Sequence, residues 1–217
     1  MAPASEIFVL PDDLPLVSAS VIADALSTPY HAVKNRGRVR LGDTVAVVGC
    51  GGVGLNVVQC AVAAGATVIA VDLNEDRLAV ARDLGAYQVF NPGATPRVDK
   101  AVRQLTGGGV DVSFEAVGSP KTLELALGLL RKGGRLCVIG YSSEAASLSA
   151  ARIMYHELEI VGSLGCGGKD YPEIIELVRA GVLRLEPIVS GTIPLEEINA
   201  GLDNLRQGRG VRWVVMP

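Results

Sequence analysis

Val45-Ala-Val-Val-Gly49-Cys-Gly51-Gly-Val-Gly54 is an apolar, largely β-branched run that passes directly into Gly-x-Gly-x-x-Gly. With Thr44 in front of it, the run reads as a buried strand. Downstream, Val53, Val57, Cys60, Ala61 and Ala64 recur at helical spacing, and Gly65 supplies a C-terminal stop. A second apolar strand, Thr67-Val-Ile-Ala-Val71, delivers Asp72 to its carboxyl end, eighteen positions after Gly54. Glycine is common in this chain, 26 of 217 residues, so the motif takes its meaning from this context. Gly49 permits a tight turn, Gly51 lets a ligand approach the backbone with no Cβ in the way, and Gly54 lets the helix lie close to the strand. A helix opening near Gly52 aims its unpaired N–H groups and positive dipole end at that ligand, which suits phosphate. These are the marks of a dinucleotide site, for a ligand such as NAD. The plainer alternative, that Asp72 and Asn74 only cap a helix starting at Glu75, leaves the glycine spacing unexplained.

The alternation continues over 39–165. A helix is expected over 75–84, stopped by Gly85, then a strand at Gln88-Val-Phe90, a turn at Asn91-Pro-Gly and a weaker helix around 98–105. Gly107-Gly-Gly leads into the strand Val110-Asp-Val-Ser-Phe-Glu115. Ser119-Pro120 opens the next helix, with the serine as cap and the proline in the first turn. Leu123, Leu127 and Leu130 are expected on its buried face, Arg131 and Lys132 at its C-terminal dipole, and Gly133 at its end. Strands follow at Arg135-Leu-Cys-Val-Ile139, ending at Gly140, and at 158–161. Strand and helix in alternation imply parallel pairing through right-handed crossovers. The fold class is therefore α/β, a Rossmann-type doubly wound sheet of six parallel strands. The two ends depart from the pattern. Residues 1–38 carry Pro11, Pro15, Pro29 and one helical segment at 17–26, whereas 166–217 read as a helix at 171–180, a strand near Ile188, a helix at 194–205 and a strand at 211–215, without an obvious partner sheet.

Hydrophobic residues make up 49% of the chain and mean hydropathy is +0.35, so core material is ample. Strands buried on both faces take up part of this excess; the rest fits a surface meant for another domain or subunit. Net charge is −3, the isoelectric point is about 5.5, and no basic run exceeds Arg131-Lys132, which argues against nucleic acid as a partner. No stretch approaches the roughly 18–20 apolar residues of a membrane span, and Met-Ala-Pro-Ala-Ser-Glu has no signal-peptide character, so a cytoplasmic protein is expected. Cys50, Cys60, Cys137 and Cys166 have no CxxC spacing and read as small buried residues in a reducing compartment.

Several stretches, in order along the chain, resemble one family. They are Asp24-Ala-Leu-Ser-Thr28-Pro-Tyr-His-Ala-Val33, Gly42-Asp-Thr through Gly54, Val71-Asp-Leu-Asn-Glu-Asp-Arg77, Leu84-Gly-Ala86, 111–118, Gly133-Gly-Arg135, Gly162-Ser163 and Leu195-Glu-Glu-Ile-Asn-Ala-Gly201. Together they resemble the C-terminal half or more of the medium-chain, zinc-type alcohol dehydrogenases. The resemblance implies an N-terminal barrel-like domain with catalytic zinc, a Rossmann domain for NAD(P), and a tail that returns to complete the first domain. On this basis 1–38 is a linker or remnant of an incomplete catalytic domain, 39–165 the dinucleotide-binding domain, and 166–217 the returning segment. The implied reaction is hydride transfer between an alcohol and NAD, with a small alcohol or carbonyl compound as substrate.

Position by position, the resemblance implies that Gly49, Gly51, Gly52, Val53 and Gly54 surround the pyrophosphate, with Val53 behind the nicotinamide and Thr28 near that ring. Asp72 would accept from the adenosine ribose hydroxyls, Arg77 would help hold that ribose, Val117, Ile139 and Gly140 would line the cleft, and Arg212 would neutralise the pyrophosphate. The plainer readings stand beside these: Val53, Val117 and Ile139 are apolar as in any such core, Arg77 is a solvated helix residue, and Arg212 lies on a surface strand. A carboxylate at Asp72 repels a 2′-phosphate, which favours NAD over NADP, while Arg77 is a group able to receive such a phosphate.

The zinc chemistry of that family needs a cysteine and a Gly-His-Glu segment, whereas this chain has only His31 and His156, neither in such a motif. Asp24 stands where many members carry the third zinc ligand; alone it cannot hold a metal, and a solvated helix-end carboxylate is the simpler role. No catalytic residue is therefore assigned, and zinc is expected only in a full-length enzyme. The expectation is a cofactor-binding portion, excised or truncated, that binds NAD and catalyses little alone. The alternatives are a non-catalytic NAD-sensing or partner-binding module, and the zinc-independent, NADPH-dependent quinone or enoyl reductase branch. A homo-oligomer is expected through the edge strand near 158–161.

Overall fold

The computed structural model describes residues 3–217; Met1 and Ala2, the start of segment 1–38, lie outside the described residues. Helix α1 (Leu16–Ala19) and a 3-10 turn (Ser20–Ala23) lead to α2 (Ser27–His31), which runs on as a π-helical turn, Ala32–Gly37. Then follow β1 (Thr44–Val48), α3 (Gly52–Ala63), β2 (Thr67–Val71), α4 (Glu75–Asp83), β3 (Gln88–Phe90) and α5 (Val98–Thr106). The alternation continues with β4 (Val110–Glu115), α6 (Pro120–Leu129), β5 (Leu130–Val138), α7 (Ala150–His156) and β6 (Glu159–Gly162). The tail holds α8 (Tyr171–Arg179), β7 (Val189–Pro194), α9 (Ile198–Arg206) and β8 (Arg212–Met216). Strands β1 to β6 form one sheet in the order β3-β2-β1-β4-β5-β6, every pair parallel, which is the doubly wound α/β arrangement expected. Strand order reverses between β1 and β4, so their helices leave on opposite faces and a crevice opens at their carboxyl ends.

The strands β1 and β2 are buried almost throughout, as the β-branched runs demand of a sheet covered on both faces. Helix α3 differs from the one-sided helix that its spacing predicts. Residues 54–61 are all buried, Asn56 and Gln59 included. The second covering layer comes from the chain's ends: Leu26, Tyr30, Val33, Ile174, Leu183 and Ile188 belong to the same buried cluster as Val47, Leu55 and Val58. Buried amides need partners. Asn56 Nδ2 donates to the Ala25 carbonyl at 2.7 Å, while Gln59 Nε2 donates to the Arg184 carbonyl at 3.0 Å and its Oε1 accepts from Arg184 N at 2.7 Å. These two side chains therefore fasten both ends of the chain to α3.

Several local expectations give way to tertiary pairing. The helix expected to carry Leu130 stops at Leu129, and Leu130, with φ −66° and ψ 141°, opens β5 against Val110 of β4. Arg131 and Lys132 consequently stand in the strand, where Arg131 pairs with Asp111 at 2.7 Å instead of serving a helix dipole. The fifth strand thus begins five residues early, and the sixth is displaced by one. The helix expected over 17–26 is broken into α1 and the 3-10 turn. Pro29 does not prevent a helix, because it lies in the first turn of α2, where a missing N–H costs no intrahelical bond. The tail strands, expected to lack a partner sheet, pair with each other in parallel, β7 to α9 to β8. The strand expected near Ile188 is β7, which begins at Val189, and Gly191 within it lies close to its partner: a Cβ there would stand 2.8 Å from the Trp213 ring. Among the described residues no helix is long and apolar enough to cross a membrane.

All four cysteines are free; Cys50, Cys60 and Cys137 are buried and Cys166 half-buried. Burial pushes the Cys50 and Cys137 thiols up to about 12 and that of Cys166 up to about 11, with Asp170 adding to the effect at Cys166. The thiolate is the reactive form, and burial together with Asp170 holds Cys166 as the unreactive thiol at pH 8. Iodoacetamide is expected to modify the native chain slowly and first at Cys166, and all four sites rapidly in urea, as read by mass spectrometry. Fast labelling of Cys50 or Cys60 in the native state would contradict the packing described.

Candidate functional site

At the end of β1 the backbone turns sharply. Gly49 has φ +96°, and a Cβ on it would run into Val117 of the loop between β4 and α6. Gly51 caps α3 and faces open space. Gly54, one turn on, has no such room: a Cβ there would collide with the Gly49 carbonyl oxygen, so α3 packs directly on the end of β1. The unpaired N–H groups of the first turn of α3 are thereby carried to the crevice. Arg212, the first residue of β8, lies over them, because a Cβ on Gly52 would be 2.6 Å from its Nε and 3.3 Å from its Cδ. Arg212 Nη2 donates to Asp24 Oδ2 at 3.3 Å, and the Thr28 hydroxyl donates to Asp24 Oδ1 at 3.3 Å.

Asp72 leaves the end of β2 toward the same place. Its Oδ2 accepts from Cys50 N at 2.6 Å and its Oδ1 from Asn74 N at 2.8 Å, so the carboxylate clips the glycine turn to the neighbouring strand. Capping of α4 falls to Asn74, whose Oδ1 accepts from Arg77 N at 3.1 Å. Arg77 turns its Nε inward, buried and without a hydrogen-bond partner. An unpaired buried donor is costly, and an acceptor placed in the cleft would relieve that cost. The cleft has a volume of about 730 Å³ and is bounded by Gly49, Asp72, Arg77, Val117, Lys121 and Thr122 among others.

The far wall depends on Glu115, a carboxylate only 1% exposed at the end of β4. Its Oε1 accepts from Val117 N at 2.9 Å, Gly118 N at 2.9 Å and the Thr122 hydroxyl at 2.8 Å. This fixes the loop that presents Val117, 52% exposed, to the crevice. Neither Glu115 nor Lys121 is singled out by residue type. Their signals are positional: an acid closing an apolar strand, and a cation just inside a Ser-Pro helix start.

Of the residues expected at the site, Gly49, Asp72, Arg77 and Val117 line the main cleft, while Gly52, Thr28 and Arg212 gather at the N-terminal end of α3 with Asp24. Val53 and Ile139 are half-buried against the main core. Ile139 N and Gly140 N both donate to the Glu115 carbonyl, at 2.9 and 3.0 Å, and Gly140 borders an adjacent recess of about 180 Å³ instead of the main cleft. Among the described residues no three His, Cys, Asp or Glu side chains come together as a metal site.

The sequence pattern of the zinc-binding dehydrogenases matches residues 52–180, more than half of the chain. The chain belongs to the zinc-binding dehydrogenase family. The probable S-(hydroxymethyl)glutathione dehydrogenase 1 of Schizosaccharomyces pombe is 32% identical over 207 residues, covering 93% of this chain and 55% of that protein. Among solved structures, the alcohol dehydrogenase of Aeropyrum pernix superposes with a TM-score of 0.87 at 36% identity, over 96% of this chain and 61% of that one. An alcohol dehydrogenase from Thermus sp. ATN1 gives 0.89 at 32% identity, over 96% and 61%. This zinc-binding dehydrogenase chain thus spans a little over half the length of the relatives it matches.

The close approach at Gly54 is separable from the open position beside it. Gly54→Ala is expected to cost about 1–3 kcal/mol through overpacking, seen as a lowered Tm, whereas Gly51→Ala, whose Cβ meets nothing, is expected to melt near the parent chain. Equal melting of the two variants would refute the contact between α3 and the end of β1.

Proposed function

We propose that this chain is the cofactor-binding portion of an NAD-dependent alcohol dehydrogenase, in which hydride passes between an alcohol and the nicotinamide ring. The observation that carries this reading is Asp72, clipped to the glycine turn through Cys50 N at one wall of the 730 Å³ cleft, with Arg212 over the first turn of α3. The first-turn N–H groups and Arg212 hold the pyrophosphate, two negative charges met by a dipole end and a guanidinium. The remaining lone pairs of Asp72 accept from the adenosine ribose hydroxyls, and the unpartnered Arg77 Nε donates to the same ribose. Val117, with Val53 and Thr28, forms the side of the crevice that shields one face of the nicotinamide, while Ile139 and Gly140 stand behind it, toward the core and the adjacent recess. The bound cofactor supplies the hydride chemistry; the residues of this chain fix its position and charge environment.

In this reading no step is assigned to zinc and no residue of this chain to proton transfer from substrate. The chain alone is proposed to bind cofactor and turn over little. Within it, 39–165 serves as the dinucleotide-binding domain, and 1–38 and 166–217 belong to the side of a catalytic domain. Exposed Leu195, Ile198, Leu202 and Leu205 in and beside α9 support a covering by further protein there. Four free thiols fit a reducing compartment such as the cytoplasm.

Fluorescence titration of the purified chain with NADH and NADPH tests the cofactor assignment. NADH is expected to bind at least about tenfold more tightly, because Asp72 repels the 2′-phosphate, and Asp72→Asn is expected to narrow that ratio. Tighter NADPH binding would overturn the choice of NAD, and binding of neither would overturn the cofactor reading.

We also propose a homodimer through β6, an edge strand that presents unpaired backbone groups and Ile160, 38% exposed. Sedimentation equilibrium is expected to show a dimer, converted to monomer by Ile160→Lys. A chain that stays monomeric at high concentration would defeat the assignment.

A further inference from the structure

Two carboxylates are buried among the described residues, Glu115 at 1% exposure and Asp170 at 3%. A buried charge ordinarily has an opposite charge beside it. Asp170 conforms: Lys34 Nζ stands 3.6 Å from its Oδ1, and Asn35 Nδ2 donates to its Oδ2 at 2.9 Å. Glu115 does not. Its three donors, Val117 N, Gly118 N and the Thr122 hydroxyl, are all neutral and all meet Oε1, and no lysine, arginine or histidine among the described residues pairs with it. The other oxygen, Oε2, lies against the backbone just past β5, where a Cβ on Gly140 would be 2.6 Å away. Neutral donors orient a charge without cancelling it. The end of β4 therefore carries a negative charge that the chain shields from solvent and leaves uncompensated.

We infer that the Glu115 carboxylate sets the balance between the oxidised and reduced forms of the cofactor, in favour of the oxidised one. The inference rests on the cofactor reading given above and deepens it. NAD+ and NADH differ in charge at one place, the nicotinamide ring, which is cationic in the first and neutral in the second. The pyrophosphate is common to both, so its repulsion by Glu115 cancels in the ratio of the two affinities. Attraction for the cationic ring does not cancel. Val117, whose N–H Glu115 holds at 2.9 Å, belongs to the wall assigned to that ring, so the charge lies on the protein side of the ring's place. Burial decides its weight, because a charge screened by protein acts several-fold more strongly at equal distance than one screened by water. The other charged groups of the crevice meet more solvent: Asp72 and Arg77 are half-buried, Lys121 is exposed and the Arg212 side chain is 36% exposed. Holding the loop needs an acceptor and not a charge, since a glutamine oxygen offers lone pairs to the same donors. The charge is the part of Glu115 that packing leaves unexplained, and a cationic ring is the group that answers it.

The test uses the whole chain, with NADH followed by its fluorescence and NAD+ by displacement of NADH. Glu115→Gln is expected to weaken NAD+ by about three- to tenfold and to leave NADH within about twofold of the parent. Glu115→Asp keeps the charge and draws it back from the loop, and is expected to weaken both forms alike. A merely structural role predicts the contrary pattern, equal loss of both forms in the glutamine variant. If circular dichroism shows Glu115→Gln unfolded, Thr122→Lys takes its place: it sets an ammonium against the carboxylate and is expected to move the ratio in the same direction. An unchanged ratio in the folded Gln or Lys variant overturns this role for Glu115 and leaves the cofactor reading standing, as does a shift in Glu115→Asp equal to that in Glu115→Gln. Failure of the parent chain to bind either form removes the cofactor reading and this role with it.

Discussion

The contact between Gly54 and the carbonyl oxygen of Gly49 sets the position of everything else at the site. Because no side chain stands between helix and strand, α3 starts almost on top of β1, and its free N–H groups arrive where the strand order reverses. The turn that makes this possible leaves Cys50 N pointing at Asp72, so the carboxylate on the neighbouring strand becomes part of the same rigid corner. Val117 closes against Gly49 from the opposite side, held there by Glu115. One close approach thus locates a dipole end, a carboxylate and an apolar wall together.

A helix so placed is covered on two sides. The sheet buries one face of α3, and residues from before β1 and after β6 bury the other, with Asn56 and Gln59 satisfied by backbone of those segments. Buried amides of this kind reward one register only, since a slip leaves both the side chain and the facing carbonyl without partners. The chain's ends are therefore part of the core around α3. They also carry the polar groups, Thr28, Asp24 and Arg212, that surround its open end.

What the sequence made legible was whatever depends on local chemistry. The strand entering Gly49, the glycine spacing, the carboxylate after β2 and the Ser119-Pro120 helix start each follow from backbone sterics or capping, and each stands where it was read. What escaped depended on partners far away in the chain. Leu130 has helical spacing but lies beside Val110, and strand pairing took it. The pairing of β7 with β8 joins segments on either side of α9, which no local pattern announces. Glu115 looks like an ordinary acid until its three donors are seen together. Along β1, β2 and α3, residue types were informative because a tight turn needs glycine and the free backbone donor of Cys50 is met by a carboxylate. Ile139 and Gly140 came from resemblance alone, and they border the neighbouring recess and core more than the main cleft.

The chain contains a single tryptophan, and the fold places it next to Arg212 in β8, its ring against Gly191 and its indole N–H directed to the Arg209 carbonyl at 3.5 Å. Indole emission overlaps the absorption of a reduced nicotinamide. The parallel pair in the tail therefore mounts one donor fluorophore on the strand that carries the Arg212 guanidinium to the first turn of α3. Indole emission therefore has one defined point of departure, and its transfer to the reduced cofactor proposed for the crevice would become a distance measurement from the tail to the sheet.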